Sequence, residues 1–559
     1  MEYEVHHLQP QGFPLAFCCA IMLKQSIGTE SSQRSFPFVL HAGMSNCLIK
    51  FYRPLLALRL WRSGYRALVT AMVTGGLVYP QMPIKPALAE ATAYCQLSVE
   101  EVSETDNLRQ AAFKGGKDAQ KRYKERLAEY AERLRQCRSR TWPQNQAIWL
   151  RLYPCDIQEG VLEAVLDRIV ARGYNQVYVE AFYDGQVLLP EAENKSPWPS
   201  AVRMPGAEKV DLLAEAIKKG HERGLKVYAW MFSMNFGYVY SQRSDRQQTL
   251  ARRANGQTSI SEPSKDTETD IKAAEGDVSK VFIDPYHPQV RRDYMSVLNA
   301  ILQRKPDGVL FDYIRYPRST GPASVVSKVQ DLWIYGEAAQ QTLYQRALNQ
   351  KGRELIRRYV TKGFISAGDV DEINALYPKE SEPMWQGRNP QSSKALQSVA
   401  QLQSELWYLS VAHAVQGVVD FLTLAGQPVQ RQGIPAGAVF FPGANKAVGQ
   451  GGFDSRLQAW DRFPGSMEWH PMAYANCGDK NAGCIIEEIQ RVLNMAPKGT
   501  QVIPALAGTW GASIKSRPSL EAQMLAIRRA FPQINGVSHF AYSWQEPEAD
   551  RDRKYCQQQ

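Results

Sequence analysis

The run KPDGVLFDYIRYPR at residues 305–318 constrains the fold more than any other stretch of the chain. Pro306, Asp307 and Gly308 make a turn, Val309, Leu310 and Phe311 make a buried strand, and the sequence then becomes polar at once. An apolar strand that ends in Asp312, Tyr313, Arg315 and Tyr316 is the pattern found at the C-terminal, ligand-facing edge of a barrel or doubly wound sheet. A carboxylate there is partly desolvated, with a guanidinium and phenols nearby to set its pKa and hold a polar substrate. The plainer alternative is an Asp312 that closes the strand through a salt bridge.

The rest of the chain supplies seven more such strands. Segments 147–152, 176–182, 226–232, 436–441, 466–474, 502–507 and 537–544 carry the apolar, β-branched and aromatic signature of strands. Helical patterns at 158–171, 209–223, 288–303, 395–424, 485–493 and 520–530 lie between them, several ended by glycine. Segment 281–284 leads into the helix at 288. Eight strands alternating with helices predict a (β/α)8 TIM barrel over 146–559, with an insertion at about 319–394 after strand four. Within that insertion, helices are expected near 324–335 and 338–362. A doubly wound sheet would not need eight parallel strands, and no GxGxxG or GxxxxGK[ST] loop follows the first strand, so no nucleotide cofactor is expected. Residues 94–140 predict a helical hairpin bent at Gly115 and Gly116, within a segment 90–145 that precedes the barrel.

The formal net charge of +10 invites a nucleic-acid reading, but half of the excess sits in residues 1–89. No basic run interleaved with aromatics follows, which argues against nucleic acid as a partner. That leader has the order of a secretory signal. Lys50, Arg53, Arg59, Arg62 and Arg66 precede an apolar run at 67–79 and then Ala87-Leu88-Ala89. The run is short for a membrane span, so any membrane contact would come through an uncleaved leader. Met44 is a more ordinary start than Met1, so residues 1–43 are expected to be an over-extended gene start. The expected location is periplasm, cell envelope or exterior. Outside the leader six cysteines remain, an even number that suits disulfides in an exported protein. Cys477 and Cys484 bracket a short polar loop, Cys95 and Cys137 could staple the hairpin, and Cys155 and Cys556 are left. No CxxC and no His beside a Cys cluster is present, so no metal site is expected.

The strand ends read in turn give Glu180, Tyr183 and Asp184 after strand two, and Trp230 at strand three. Strand four gives Asp312, Tyr313, Arg315 and Tyr316, and strand six gives His470 and Tyr474. Trp510 follows strand seven, and Trp544 and Glu546 follow strand eight. Carboxylates among Trp and Tyr describe a sugar subsite, because pyranose faces stack on rings while hydroxyls bond to acids. Cleaving a glycosidic bond takes two carboxyl groups, so Asp312 is the first catalytic candidate, with Glu546 and Glu180 as candidate partners. Tyr183, Asp184, Trp230, Tyr313, Arg315, Tyr316, His470, Tyr474, Trp510 and Trp544 are the candidate substrate-binding residues. Plainer roles stand beside these. Glu180 can pair with Arg151 or Arg315, Glu546 can be a solvated loop acid, the tryptophans can be packing, and Asp284 can cap the next helix.

At Gln176–Glu180, Val227–Trp230, Phe282–Pro285 and above all Asp307–Pro317, the chain resembles the family-10-like glycosyl hydrolases, barrel proteins common in cyanobacteria. The resemblance covers about residues 146–550 and implies a glycan-active barrel in an exported protein. Two departures limit it. Family 10 xylanases use glutamates after strands four and seven, where this chain has Asp312 and Gly508-Thr509-Trp510-Gly511. Asp307 and Asp312 match places in the strand-four signature of chitinase-type barrels, but the position of their acidic proton donor falls on Ile314, which cannot donate. The expectation is an exported glycoside hydrolase acting on an envelope or extracellular polysaccharide. The alternative is a barrel of the cell envelope that binds carbohydrate without cleaving it.

Overall fold

The computed structural model describes residues 94–261, 280–389 and 398–556, so the signal-like leader and most of the polar stretch before Lys280 lie outside the described residues. Eight strands run parallel: β1 (Asn145–Leu150), β2 (Gln176–Tyr183), β3 (Lys226–Phe232), β4 (Gly308–Asp312), β5 (Ala436–Phe440), β6 (Glu468–Ala473), β7 (Ala505–Ala507) and β8 (Gly536–Phe540). Each pairs with the next, and β1 pairs with both β2 and β8. The sheet therefore closes, and the expected (β/α)8 barrel is what forms.

Ahead of the barrel lie α1 (Val99–Phe113) and α2 (Lys117–Arg140). Ser98 and Glu101 start α1 as a reciprocal capping box, and Gly115 turns the chain in a left-handed conformation at φ 91°. Around the barrel run α3 (Val161–Ala171), α4 (Leu212–His221), α5 (Pro288–Leu302), α6 (Val399–Arg431), α7 (Gly483–Met495) and α8 (Leu520–Ala530), followed by α9 (Pro547–Lys554). The β5–β6 connection departs from the ideal pattern. It carries a 3-10 turn at Trp460–Arg462 and two short strands, Ala447–Val448 and Gly452–Asp454, that pair with each other, the second also pairing with Val325–Val326 of the insertion. By length and composition α6 could cross a membrane, yet Leu402, Leu406, Val418, Phe421 and Leu422 are buried along one side of it.

Two helical expectations fail in the insertion. Residues 324–335 form a 3-10 turn, a two-residue strand and another 3-10 turn. The reason is local: Leu332, Trp333 and Ile334 are all buried, and three consecutive residues cannot share one face of an α-helix. The stretch 338–362 splits into Glu337–Tyr344 and Gln350–Lys362, because the Asn349 side chain accepts from Gly352 N (2.8 Å) and starts a new helix. The segment before α5 forms only isolated bridges, through Phe282 and Ile283.

Six cysteines form three disulfides, Cys95–Cys137, Cys155–Cys556 and Cys477–Cys484, the pairing expected from their positions. The second ties the chain just after β1 to the end of α9. Arg553 reinforces it by donating to both oxygens of Asp156 and to Arg151 O (2.9 Å).

The barrel interior is filled by rings. Trp149 packs edge-on against Tyr178 (4.9 Å between centroids) and Trp230 (4.7 Å), and its indole donates to Ser538 Oγ (3.1 Å). Gly437 on β5 makes room for this filling, since a Cβ there would collide with Leu310 and the His470 ring. Gly437→Ala is expected to cost about 1–3 kcal/mol by overpacking, readable as a fall in the denaturant midpoint at unchanged slope. A midpoint equal to that of the unmodified protein would show that the interior can yield.

Candidate active site

Two strand-borne carboxylates and one guanidinium form the centre of the barrel mouth. Asp312 is the last residue of β4 and is 7% exposed. Its Oδ1 accepts from Tyr313 N (2.6 Å) and its Oδ2 from Trp230 Nε1 (3.1 Å). Glu180 lies on β2, fully buried, with Arg151 Nε donating to Oε2 and Nη2 to Oε1 (3.1 Å). Of the two partners foreseen for Glu180, Arg151 is the one it takes. Burial raises the Glu180 carboxyl; Arg151 opposes the rise, Asp184 and Asp312 add to it, and the result is about 7. Burial works against the charge on Arg151, but Glu180 and Asp184 outweigh it and hold the guanidinium well above its ordinary value.

A bulge explains how β2 contributes two inward groups at unlike spacing. The register with β3 shifts between Glu180 and Phe182, so strict alternation breaks there. Phe182 packs against Trp198 (4.6 Å), while Tyr183 lies beneath Arg151, whose Cζ is 4.6 Å from the ring centroid. The Tyr183 hydroxyl donates to Leu152 O (3.1 Å), which leaves that phenol occupied in the frame of the site. Asp184 reaches Arg151 Nη2 at 3.3 Å and keeps 30% of its side chain exposed. Asp184 (φ 45°) and Tyr313 (φ 50°) both hold left-handed backbone conformations, uncommon strain for a tyrosine and of the kind that collects at ligand-facing edges.

Other residues picked from the strand ends fall into two groups. Trp230 is 6% exposed and binds Asp312, and the partly exposed Tyr313 packs against Phe232 (4.3 Å). Arg315 stands over Tyr313 with Cζ 4.8 Å from the centroid, and also near Phe282 and Phe441 (5.7 Å each). Tyr474, after β6, packs on Phe540 (5.8 Å); burial and then the charge of Asp312 raise its phenol well above the ordinary value. Trp544 remains partly buried beside the β8 end, with Lys515 Nζ 5.3 Å from its ring.

Four picks are corrected. Glu546 is not brought to Asp312: its Oε2 accepts from Arg168 Nη1 and its Oε1 from Arg172 Nη2, both at 2.8 Å, so it anchors the C-terminal turn to α3. Trp510 packs on Tyr94 and His539 (5.3 Å each) and donates to Tyr174 OH (3.0 Å), outside the barrel interior. His470 is completely buried, edge-on to Tyr178 (5.6 Å) with Nε2 3.3 Å from Glu468 Oε2, because it lies early in β6 rather than at its end. Tyr316 is fully buried, and its environment includes Tyr286 and Asp284. Asp284 does take a capping role: its oxygens accept from Tyr286 N and Ala339 N (2.9 Å each), and burial pushes its carboxyl up to about 6. Arg151, Trp149 and Phe540 were not singled out as site residues, although the alternation Trp149–Arg151 at the β1 end carries the same signal that marked Asp312.

Among the described residues no group of three or more His, Cys, Asp or Glu side chains is placed to hold a metal ion. No curated protein matches the chain. Among solved structures, the chain is similar to the catalytic domain of β-amylase from Paenibacillus polymyxa. That likeness has 11% identity, covers 74% of this chain and 97% of the other, and has a TM-score of 0.41. It is also similar to the glycoside hydrolase domain of PgaB (BpsB) from Bordetella bronchiseptica, at 14% identity, 73% and 98% coverage and a TM-score of 0.41. The stretch that runs from the start of β1 through the barrel mouth to the insertion helices, residues 147–360, matches the family model described as glycosyl hydrolase-like 10.

Proposed function

We propose that this protein is an exported glycoside hydrolase whose carboxyl pair is Asp312 and Glu180, acting on an envelope or extracellular polysaccharide. The observation that carries the reading is the pair itself. Burial, opposed by Arg151 and aided by Asp184 and Asp312, moves Glu180 toward the protonated form near neutrality, while Asp312 accepts from two N–H donors. That division is what acid and base or nucleophile roles require at a glycosidic bond. The partly exposed Tyr313 and Trp544 offer aromatic surface for sugars. The family match over residues 147–360 supports the hydrolase class, and three disulfides support an oxidising compartment.

A pH dependence follows. With Glu180 as proton donor, the competent form is the protonated one, so activity is high below about pH 7 and falls as pH rises through that value. A rate profile on the cleaved polysaccharide checks this, and a rate that instead climbs through neutrality would assign Glu180 the opposite role.

A second reading has its own observation. Both oxygens of the fully buried Glu180 are engaged by Arg151, so the acid is not presented to a substrate in this arrangement. That favours a barrel that binds glycan without cutting it. The test is the oxidised full chain and Asp312→Asn on a panel of envelope and extracellular polysaccharides, scoring new reducing ends and retention separately. Reducing ends from the unmodified chain alone support hydrolysis; retention by both without cleavage supports the binding barrel.

A further inference from the structure

Arg151 is in an unusual position for a residue whose task is only to neutralise Glu180. Its Nε and Nη2 face Glu180, and Nη2 also reaches Asp184, but Nη1 has no hydrogen-bond acceptor among the described residues and 37% of the side chain is exposed. A guanidinium is a planar fork that already holds one carboxylate side-on here, and its remaining edge fits a second. The neighbouring aromatic faces carry cations as well. Lys280 Nζ is 5.8 Å from the Tyr313 centroid, and Lys515 Nζ is 5.3 Å from that of Trp544. A ring face with a cation beside it suits an acidic pyranose, whose apolar face stacks while its carboxylate meets the charge.

We propose that the mouth takes a uronate-bearing glycan, with Arg151 seating one sugar carboxylate at its exposed edge beside Asp312 and Glu180. This rests on the carbohydrate reading above and deepens it by naming the substrate class. Arg151 is thus a specificity-determining residue for an acidic sugar.

The test uses binding, so it does not depend on cleavage. Calorimetric titration would compare mixed uronate-containing oligosaccharides, the same oligosaccharides after carboxyl reduction, and a sulfated glucan, on the Asp312→Asn chain at low salt. The expected result is about 10- to 100-fold tighter binding of the uronate form than of its reduced counterpart, the size of one charge-assisted hydrogen-bond pair. Adding Arg151→Gln together with Glu180→Gln, which avoids an orphaned buried charge, is expected to abolish that preference, so that the uronate and reduced oligosaccharides bind within about twofold of each other. Arg151→Lys, which keeps the charge and loses the fork, is expected to retain part of it. Equal affinity for uronate and reduced forms, preference surviving in the double replacement, tighter binding of the sulfated glucan alone, or no binding of any probe would each overturn the proposal. Uronate preference without reducing ends from the unmodified chain would uphold it and remove only the hydrolytic reading.

Discussion

Asp312→Asn is expected to reduce release of reducing ends by about 10²–10⁴-fold while leaving the fold intact, the range typical for removing a positioned acid–base group. The substitution is close to isosteric. The amide oxygen can keep the bond from Tyr313 N, so the turn after β4 retains its partner. What is lost is the negative charge and an acceptor for the Trp230 indole, which donates to Oδ2 at 3.1 Å. A second consequence separates loss of a catalytic group from a general disturbance. The charge of Asp312 is among the influences raising Glu180 to about 7, so removing it lowers that value and shifts the alkaline fall of any residual activity to lower pH. Far-UV circular dichroism and thermal unfolding report on the fold, and a residual-rate profile reports on Glu180. Undiminished cleavage by Asp312→Asn would remove Asp312 from the mechanism. Unchanged thermal stability with lost cleavage would leave it at the centre.

The closed barrel was legible because its evidence is local and repeated: an apolar strand, a polar end, an amphipathic helix and a glycine stop. The position of a residue along its strand was legible for the same reason, which is how Asp312, Glu180 and Trp230 are placed on β4, β2 and β3. Azimuth was not legible wherever alternation breaks. Glu180 and Tyr183 both face the site across the bulge that separates Glu180 from Phe182, and no composition signal announces that extra residue. Tyr313 takes a left-handed conformation directly after β4, so the residues beyond it do not continue the strand's alternation, and Tyr316 ends up fully buried. Trp510 and Glu546 lie three and six residues beyond their strands, far enough for loops to carry one onto His539 and the other onto α3. His470 was misplaced for a different reason, since a residue near the start of β6 was assigned to its end. Arg151 was weighed only as a partner for Glu180, because charge pairing is visible in a sequence and partial exposure is not.

Asp167→Leu is expected to destabilise the protein by about 3–5 kcal/mol, the cost of removing one member of a buried charge network and stranding Arg223, whereas Arg109 keeps Asp106 at 2.7 Å. Asp167 on α3 is 5% exposed at its side chain and accepts from three groups on three other segments. Arg109 Nη1 comes from α1 at 2.7 Å, Tyr123 OH from α2 at 2.8 Å, and Arg223 Nε from just beyond α4 at 2.8 Å. Arg223 Nη2 also donates to Tyr123 OH (2.8 Å), so the four side chains form one connected cluster joining the two N-terminal helices to the barrel wall. Burial raises the Tyr123 phenol, the charge of Asp167 adds to the rise, and the tyrosine stays neutral as a donor. Losing Asp167 leaves the Arg223 guanidinium, 1% exposed, with no carboxylate within ion-pair distance among the described residues other than Glu222 at 4.0 Å. Chemical denaturation of the oxidised full chain measures the loss. The triple change Arg109→Leu, Asp167→Leu and Arg223→Met separates the worth of the network from the penalty of breaking it. If the charges are retained for orientation rather than for net energy, the triple variant recovers most of the lost stability, because replacing a buried ion cluster by packed apolar groups is often neutral or better. A single variant within about 1 kcal/mol of the unmodified protein would mean that solvent reaches the cluster and that other contacts, among them Tyr130 and Leu134 in the core and Arg138 donating to Gly173 O (3.1 Å), hold the two helices.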